Sequence, residues 1–281
     1  MLNIQTFSYH NHTNFSDGSN TLEEMVAQAK KIGFTEMGIS DHLIIHKNTR
    51  QSPSYKYWMS RKNGNMFYSD FKSVLPKYQK HCEHIRKLSK QENFKLYVGF
   101  EVDYFTYDGW LDEMKDFLAQ LDYDYLISGN HMLFDEECEN FVDISCLKKQ
   151  ELDRSFLNNR LQNHFRVMKE AVESGLFRFL AHIDYARKLG DEYCGPSMFV
   201  KEKNAVLDAA LKNNVAVEIS TKGLRKIGDL YPCAEIIKEI SKRQIEVVVS
   251  DDAHQMSELG ADFDVAEQAI FAAGIKRRLK F

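Results

Sequence analysis

Proline is scarce in this chain of 281 residues, with four in all, and no stretch is dominated by Gly, Ser or Pro. A flexible linker between domains therefore has no compositional support. Cysteine is nearly as sparse. Cys82, Cys138, Cys146, Cys194 and Cys233 form no Cys-x-x-Cys pair, which excludes the disulfide framework that staples small secreted domains and leaves reduced thiols as the expectation. Excess positive charge is missing too: the formal net charge is −4, so the composition offers no broad surface to nucleic acid. No run of about 18 apolar residues is present to span a bilayer, and residues 1–12 lack the basic start and apolar stretch of a signal peptide. The expected location is the cytoplasm, with no membrane partner.

What is present is enough for one large core. At 43% hydrophobic residues, a chain of this length is expected to form a single domain over residues 1–281. Short apolar or β-branched runs alternate with longer amphipathic patterns, the mark of repeated βα units around a parallel sheet. Seven runs stand out, ending near Tyr9, Ser40, Phe100, Ser128, Ala181, Ile219 and Ser250. Helices are predicted over 21–32, where Thr21 and Glu24 form a capping-type pair, and over 160–173 and 201–212, with Gly33, Gly175 and Gly274 placed as C-terminal caps. One long departure from this rhythm, residues 46–93, reads as a lid insertion that carries Tyr55, Tyr57 and Trp58, followed by a helix over 69–90.

The histidines are not scattered. His10 and His12 alternate at the end of the first run, so both imidazoles can face one side of a strand. A lone pair of this kind is usually incidental, but almost every later run also ends in a metal-ligand residue type: His42, Glu101, His131, His182, Asp252 and His254, with Asp17 just after the first run. In a parallel barrel the C-terminal strand ends converge on one face, so residues far apart in sequence meet there. Six His and three carboxylates suffice for two or three divalent ions of borderline preference, such as Zn, Mn or Fe. Four other histidines fall outside the pattern. His81 and His84 read as a solvated helix face, His164 as surface or packing, and His46 lies past the strand end.

Together these motifs resemble the PHP (polymerase and histidinol phosphatase) superfamily. They are His10-x-His12-Thr13 with Ser16-Asp17-Gly18, Ser40-Asp41-His42, Gly99-Phe100-Glu101-Val102-Asp103, Asn130-His131, Ala181-His182-Ile183-Asp184 and Ser250-Asp251-Asp252-Ala253-His254. The stretch from Glu218 to Lys226, followed by Tyr231-Pro232, is similar to the histidinol-phosphate phosphatase branch. Asn130 and Asp251 depart from the residues expected at their positions. The resemblance implies a distorted (βα)7 TIM-like barrel and three metals. By that resemblance His10, His12, Glu101 and Asp252 hold one, Glu101 bridges to a second held by His131 and His182, and Asp17, His42 and His254 hold the third. It also implies a phosphoric monoester hydrolase of histidine biosynthesis that converts L-histidinol phosphate to L-histidinol and phosphate.

Two neighbouring cations lower the pKa of a water between them and clamp attacking and leaving oxygens, which suits a phosphate ester. Glu101, Asp252 and His254 are the expected catalytic residues; Arg187, Arg225 and Lys222, near strand ends, are the expected contacts for a small phosphorylated metabolite. Two other classes remain: a nuclease or nucleotide phosphodiesterase of the same superfamily, and a metal-stabilised binding module without catalysis. The net charge of −4 counts against the first and the complete ligand set against the second.

Overall fold

In the computed structural model, which describes residues 4–60, 66–148 and 153–281, a parallel sheet curves into a nearly closed barrel. The strands in chain order are β1 (Phe7–Ser8), β2 (Glu36–Ile39), β3 (His42–Ile45), β4 (Phe67–Tyr68), β5 (Lys95–Val102), β6 (Tyr125–Ser128), β7 (Met132–Phe134), β8 (Phe141–Asp143), β9 (Phe179–Leu180), β10 (Ala216–Ser220) and β11 (Val247–Ser250). Seven of them make the wall, in the order β1, β2, β5, β6, β9, β10, β11. Each expected apolar run therefore supplies one stave. β2, β6, β10 and β11 are buried along their whole length, as continuous apolar runs covered on both faces should be.

The helices are α1 (Leu22–Lys31), α2 (Pro53–Met59), α3 (Phe71–Glu92), α4 (Trp110–Leu118), α5 (Arg154–Glu173), α6 (Asp191–Cys194), α7 (Val200–Lys212), α8 (Lys222–Ile227), α9 (Ala234–Arg243) and α10 (Phe263–Ala273). Their burial follows the helical period. α1 buries Leu22, Met25, Val26 and Ala29, and opens with the predicted reciprocal cap between Thr21 and Glu24. Gly33, Gly175 and Gly274 take positive φ just beyond helix ends, where a side chain would be strained. Among the described residues no helix is long and apolar enough to cross a membrane.

The wall is laddered everywhere except between β1 and β11. There a single bridge, Asn11 to Ala253, joins the two edges, with His12 N donating to Ala253 O at 2.9 Å. Side chains reinforce it: Gln5 Nε2 donates to Val249 O at 2.8 Å and Ser8 Oγ to Asp251 Oδ1 at 2.8 Å. Inside the barrel the Tyr125 side chain covers Gly38 and Gly99, where an added Cβ would lie 2.2 Å from its hydroxyl and 2.3 Å from its ring, and Tyr125 Oη donates to Tyr9 O at 2.5 Å.

Two features depart from the simple βα rhythm. β2 and β3 are one strand interrupted at Ser40 and Asp41, since Ile39 pairs Val98 and His42 pairs Glu101 at the same offset. The insertion is shorter than 46–93, because the helix expected at 69–90 is α3, which packs on β5 as an ordinary crossover helix. What remains extra is a 3-10 turn, α2 and β4; residues 61–65, at the end of the aromatic stretch, lie outside the described part. This insertion rests on an antiparallel hairpin, β7 with β8, that the sequence pattern did not reveal. Ser52 Oγ donates to Phe141 O at 2.8 Å and Trp58 Nε1 to Asp143 Oδ2 at 2.8 Å.

Candidate metal centre

The barrel brings the nine expected ligands to one mouth. His182 and Asp252 follow β9 and β11 with φ of 21° and 46°, so the chain turns abruptly as it leaves the sheet. Asn130, ahead of His131, has φ 55°. Asn tolerates that conformation, and its Nδ2 donates to Ser128 O at 2.8 Å and Ala181 O at 3.3 Å. The unexpected Asn thus has a local backbone role. Asp251, the other departure, sits in the seam and accepts from Ser8 Oγ and from Gly260 N at 2.5 Å; burial pushes its pKa up to about 6.

Glu101 is central. Its Oε2 lies 3.2 Å from His10 Nε2 and 3.2 Å from His12 Nε2, whereas Oε1 lies 3.0 Å from His182 Nε2 and 3.4 Å from His131 Nε2. Asp252 Oδ1 approaches His12 Nε2 at 3.2 Å and His10 Nε2 at 3.5 Å. Asp17 meets His254 Nε2 at 3.2 Å and His42 Nε2 at 3.5 Å. Tetrahedral ligand bonds of roughly 2.0–2.2 Å place donor atoms about 3.4 Å apart, which matches this spacing.

The donors also fit metals in their hydrogen bonding. His10 Nε2, both nitrogens of His12, His42 Nδ1, Glu101 Oε2 and Asp252 Oδ1 are buried and have no aligned hydrogen-bond partner. So many orphaned polar atoms around one point would be costly in a site that held nothing. Four groupings of these residues place one donor from each within 4.8 Å of one another, and one of them is His12, Asp17, His42 and His254. Electrostatics agree. Burial opposes charge on His10, yet Asp252, Glu218 and Glu101 hold its pKa well above the ordinary value, and burial of His12 is outweighed by Asp252 and Glu101, which raise it to about 9. The field around Glu101 and Asp252 that attracts protons attracts divalent cations too, whereas at His42 and His254 burial wins and lowers both pKa values.

Carboxylates behind the histidines orient them. Glu218 Oε1 faces His10 Nδ1 at 2.6 Å and accepts from Ser250 Oγ at 2.5 Å, and its Oε2 accepts from His182 N at 2.8 Å. A carboxylate only accepts, so His10 Nδ1 is the donor and Nε2 keeps its lone pair for a metal. Asp103 does the same for His131, accepting from its backbone N at 2.7 Å and from Nδ1 at 2.9 Å. Asp41 accepts from Thr13 N, Thr13 Oγ1 and Ser16 Oγ, so it shapes the loop that carries Asp17.

Asp41 also meets His81 Nε2 at 3.0 Å. His81 is therefore not on a solvated face: it is 5% exposed and stacks on Phe15, because the loop after β1 folds over that side of α3. His84 is exposed beside Glu23, as expected. His164 is buried packing, and His46 lies buried among Phe105, Tyr107 and Phe141, away from the nine ligands.

A cavity of about 160 Å³ opens onto Asp17, His42, His131 and His254. Of the expected phosphate contacts only Lys222 lines it, with Nζ 2.8 Å from Asp252 Oδ2 and 3.2 Å from His254 Nδ1. Arg187 turns away and is engaged with Asp184, Asp191 and Asp229 at 3.5, 3.4 and 3.0 Å. Arg225 does not line the cavity; it donates to Asp251 O at 2.5 Å and lies 3.8 Å from Glu258 Oε1. Lys188 and Lys226 line the cavity instead, with Trp58, Asp143 and Tyr185 on the outer side. The signal for Lys188 was its place, with Arg187, just after the His182 strand, and nothing in the sequence marked Asp143.

The PHP domain family pattern matches residues 8–222. Relatives named probable histidinol-phosphatase occur in Deinococcus radiodurans, 26% identical over 178 residues, and in Thermotoga maritima, 26% identical over 255 residues. The first alignment covers 63% of this chain and 64% of the relative, the second 89% and 85%. Among solved structures, one described as a candidate histidinol phosphatase HisK of Listeria monocytogenes has a TM-score of 0.73 at 24% identity, over 92% of this chain and 99% of that one. The histidinol phosphate phosphatase of Lactococcus lactis, solved with zinc, L-histidinol and phosphate, has a TM-score of 0.65 at 15% identity, over 99% and 97%. These structures share the fold.

Proposed function

The chain belongs to the PHP domain family, and from that premise we propose that it is a metal-dependent phosphatase acting on a small phosphate monoester, with L-histidinol phosphate as the substrate. The observation that carries this reading is Glu101, whose Oε2 faces His10, His12 and His42 while Oε1 faces His131 and His182, as a carboxylate bridging cations would. His10, His12, Glu101 and Asp252 would hold one cation, Glu101, His131 and His182 a second, and Asp17, His42 and His254 a third. Zinc, manganese or iron suits these N and O donors. When bound, such ions activate water and neutralise charge on the phosphoryl group.

The chain's own residues do the rest in a single domain. Lys222, beside Asp252 and His254, offers its ammonium to a phosphoryl oxygen, and the tight cavity favours a monoester over a polymer. On the outer side Trp58 and Tyr185 offer aromatic faces to an imidazole, and Asp143 offers a carboxylate to an ammonium; histidinol phosphate carries both groups. The relatives' names point to the same substrate, which would place the reaction in histidine biosynthesis. The deciding experiment assays the zinc- or manganese-loaded protein against histidinol phosphate, other monoesters and a phosphodiester. We expect kcat/KM to be highest for histidinol phosphate; preference for the phosphodiester would replace this reading with a nuclease, and no turnover of any ester by metal-loaded protein would leave a binding module.

A further inference from the structure

We propose that Lys188 is the general acid that protonates the leaving alcohol, and hence that this site is built for phosphate esters of aliphatic alcohols. The inference rests on the phosphatase reading above. Lys188 lies on the 3-10 turn Tyr185–Leu189 that follows His182, and its side chain reaches the cavity on the opposite side of the turn from Arg187. Its Nζ touches two hydroxyls, Ser145 Oγ at 2.9 Å and Tyr185 Oη at 3.0 Å, and no carboxylate of the described residues lies within ion-pair distance. Lys222, by contrast, is engaged with Asp252 at 2.8 Å. Lys188 is thus an ammonium of the cavity held by hydroxyls and not by a carboxylate, with a proton to offer.

Its position suits that task. Tyr185, which holds Lys188 through its hydroxyl, packs with ring centroids 4.8 Å from His182 and 5.1 Å from His131, so the ammonium stands about one tyrosine's length from the second ligand pair. A phosphoryl group seated against the histidines would direct its ester oxygen outward, toward Trp58, Asp143 and Lys188. Burial, helped by Lys222 and Lys226 and opposed by Asp143 and Asp252, pushes the Lys188 pKa down to about 8, near the range in which an acid is protonated at neutral pH yet releases its proton readily. In the step, the oxygen of a water forms the new P–O bond while the bond from phosphorus to the alcohol oxygen breaks. The departing oxygen keeps the bonding pair and takes a proton from the Lys188 ammonium. The amine is reprotonated from solvent, which also receives the proton lost by the water, so one water is consumed and one alcohol and one phosphate are released.

A leaving-group series tests this on the protein with its metals bound. Alkyl alkoxides need protonation and nitrophenolate does not, so Lys188→Gln should lower kcat for a primary alkyl phosphate about 100-fold more than for p-nitrophenyl phosphate. Lys188→Arg keeps the charge but holds its proton too tightly to give it up, and should show the same selective loss. A misfolded fraction lowers both rates equally and leaves the ratio unmoved. Equal losses on the two esters, or an Arg variant with full alkyl activity, would overturn the acid role while leaving the phosphatase reading intact. A metal-loaded wild type inert on both esters would overturn that reading and this one with it.

Discussion

Glu101 and Asp17 are both buried carboxylates beside histidines, but they differ in what they join. Glu101 meets five imidazoles through two oxygens, whereas Asp17 lies closest to His254 and His42. Glu101→Gln should therefore remove two cations and lower kcat about 100-fold more than Asp17→Asn, which should remove one. Metal content and kcat measured side by side decide it, and an equal or smaller loss in the Glu101 variant with metals retained would refute the bridge. The convergence of the nine candidate ligands was legible in sequence because strand ends collect His and acids of one chemical type. Their supporting carboxylates were not. Glu218 and Asp103 stand within the same motifs, but a sequence does not show whether such an acid binds a metal or the far nitrogen of a histidine. The choice between Arg187 and Lys188 was not legible for a related reason: neighbours on a tight turn project in different directions, and only the packing of Asp184 and Asp229 decides which one faces the cavity.

Among the elements, the long helices were readable from their period and caps, while β7 and β8 were not, because three-residue strands carry too little pattern. The hairpin they form packs against α5, where His164 Nδ1 donates to Met132 O at 2.8 Å and Nε2 has no hydrogen-bond partner. Burial pushes the His164 pKa down to about 4. An unfolded-chain histidine titrates near 6.5, so above that pH neither state carries the proton and stability is independent of this residue. Between about 6.5 and 4 the unfolded chain binds a proton that the folded chain refuses, and stability falls, by on the order of 3 kcal/mol at the lower limit. Below that both states are protonated and the loss stops growing. His164→Gln should flatten this dependence, read as a smaller change in urea midpoint between pH 7 and pH 5 in metal-free protein. An unchanged pH slope in the variant would show that the acid sensitivity arises elsewhere.

At the scale of the whole molecule, seven staves and their shared mouth followed from counting apolar runs, but the weak join in the barrel did not, because strand pairing between the first and last runs leaves no mark in either. The join is narrow: β1 and β11 meet through the one bridge from Asn11 to Ala253 and a few side-chain bonds. The proposed first metal set straddles it, with His10 and His12 on the β1 side and Asp252 on the β11 side, only 3.2–3.5 Å apart. A cation held by all three would act as a clasp on the barrel. Ligand binding to the folded state alone adds about 2.7 kcal/mol per site at a hundredfold excess over Kd, so chelation should lower Tm by on the order of 5–10 °C. The location of the loosening is the sharper test. Hydrogen exchange after chelation should speed up most in residues 8–13 and 249–254, where the backbone has a single bridge, and least in 98–102 of β5, which is laddered on both sides. Exchange that rises evenly around all seven strands would mean that the metals support the barrel as a whole, and exchange that stays unchanged at the seam would mean that no cation spans it.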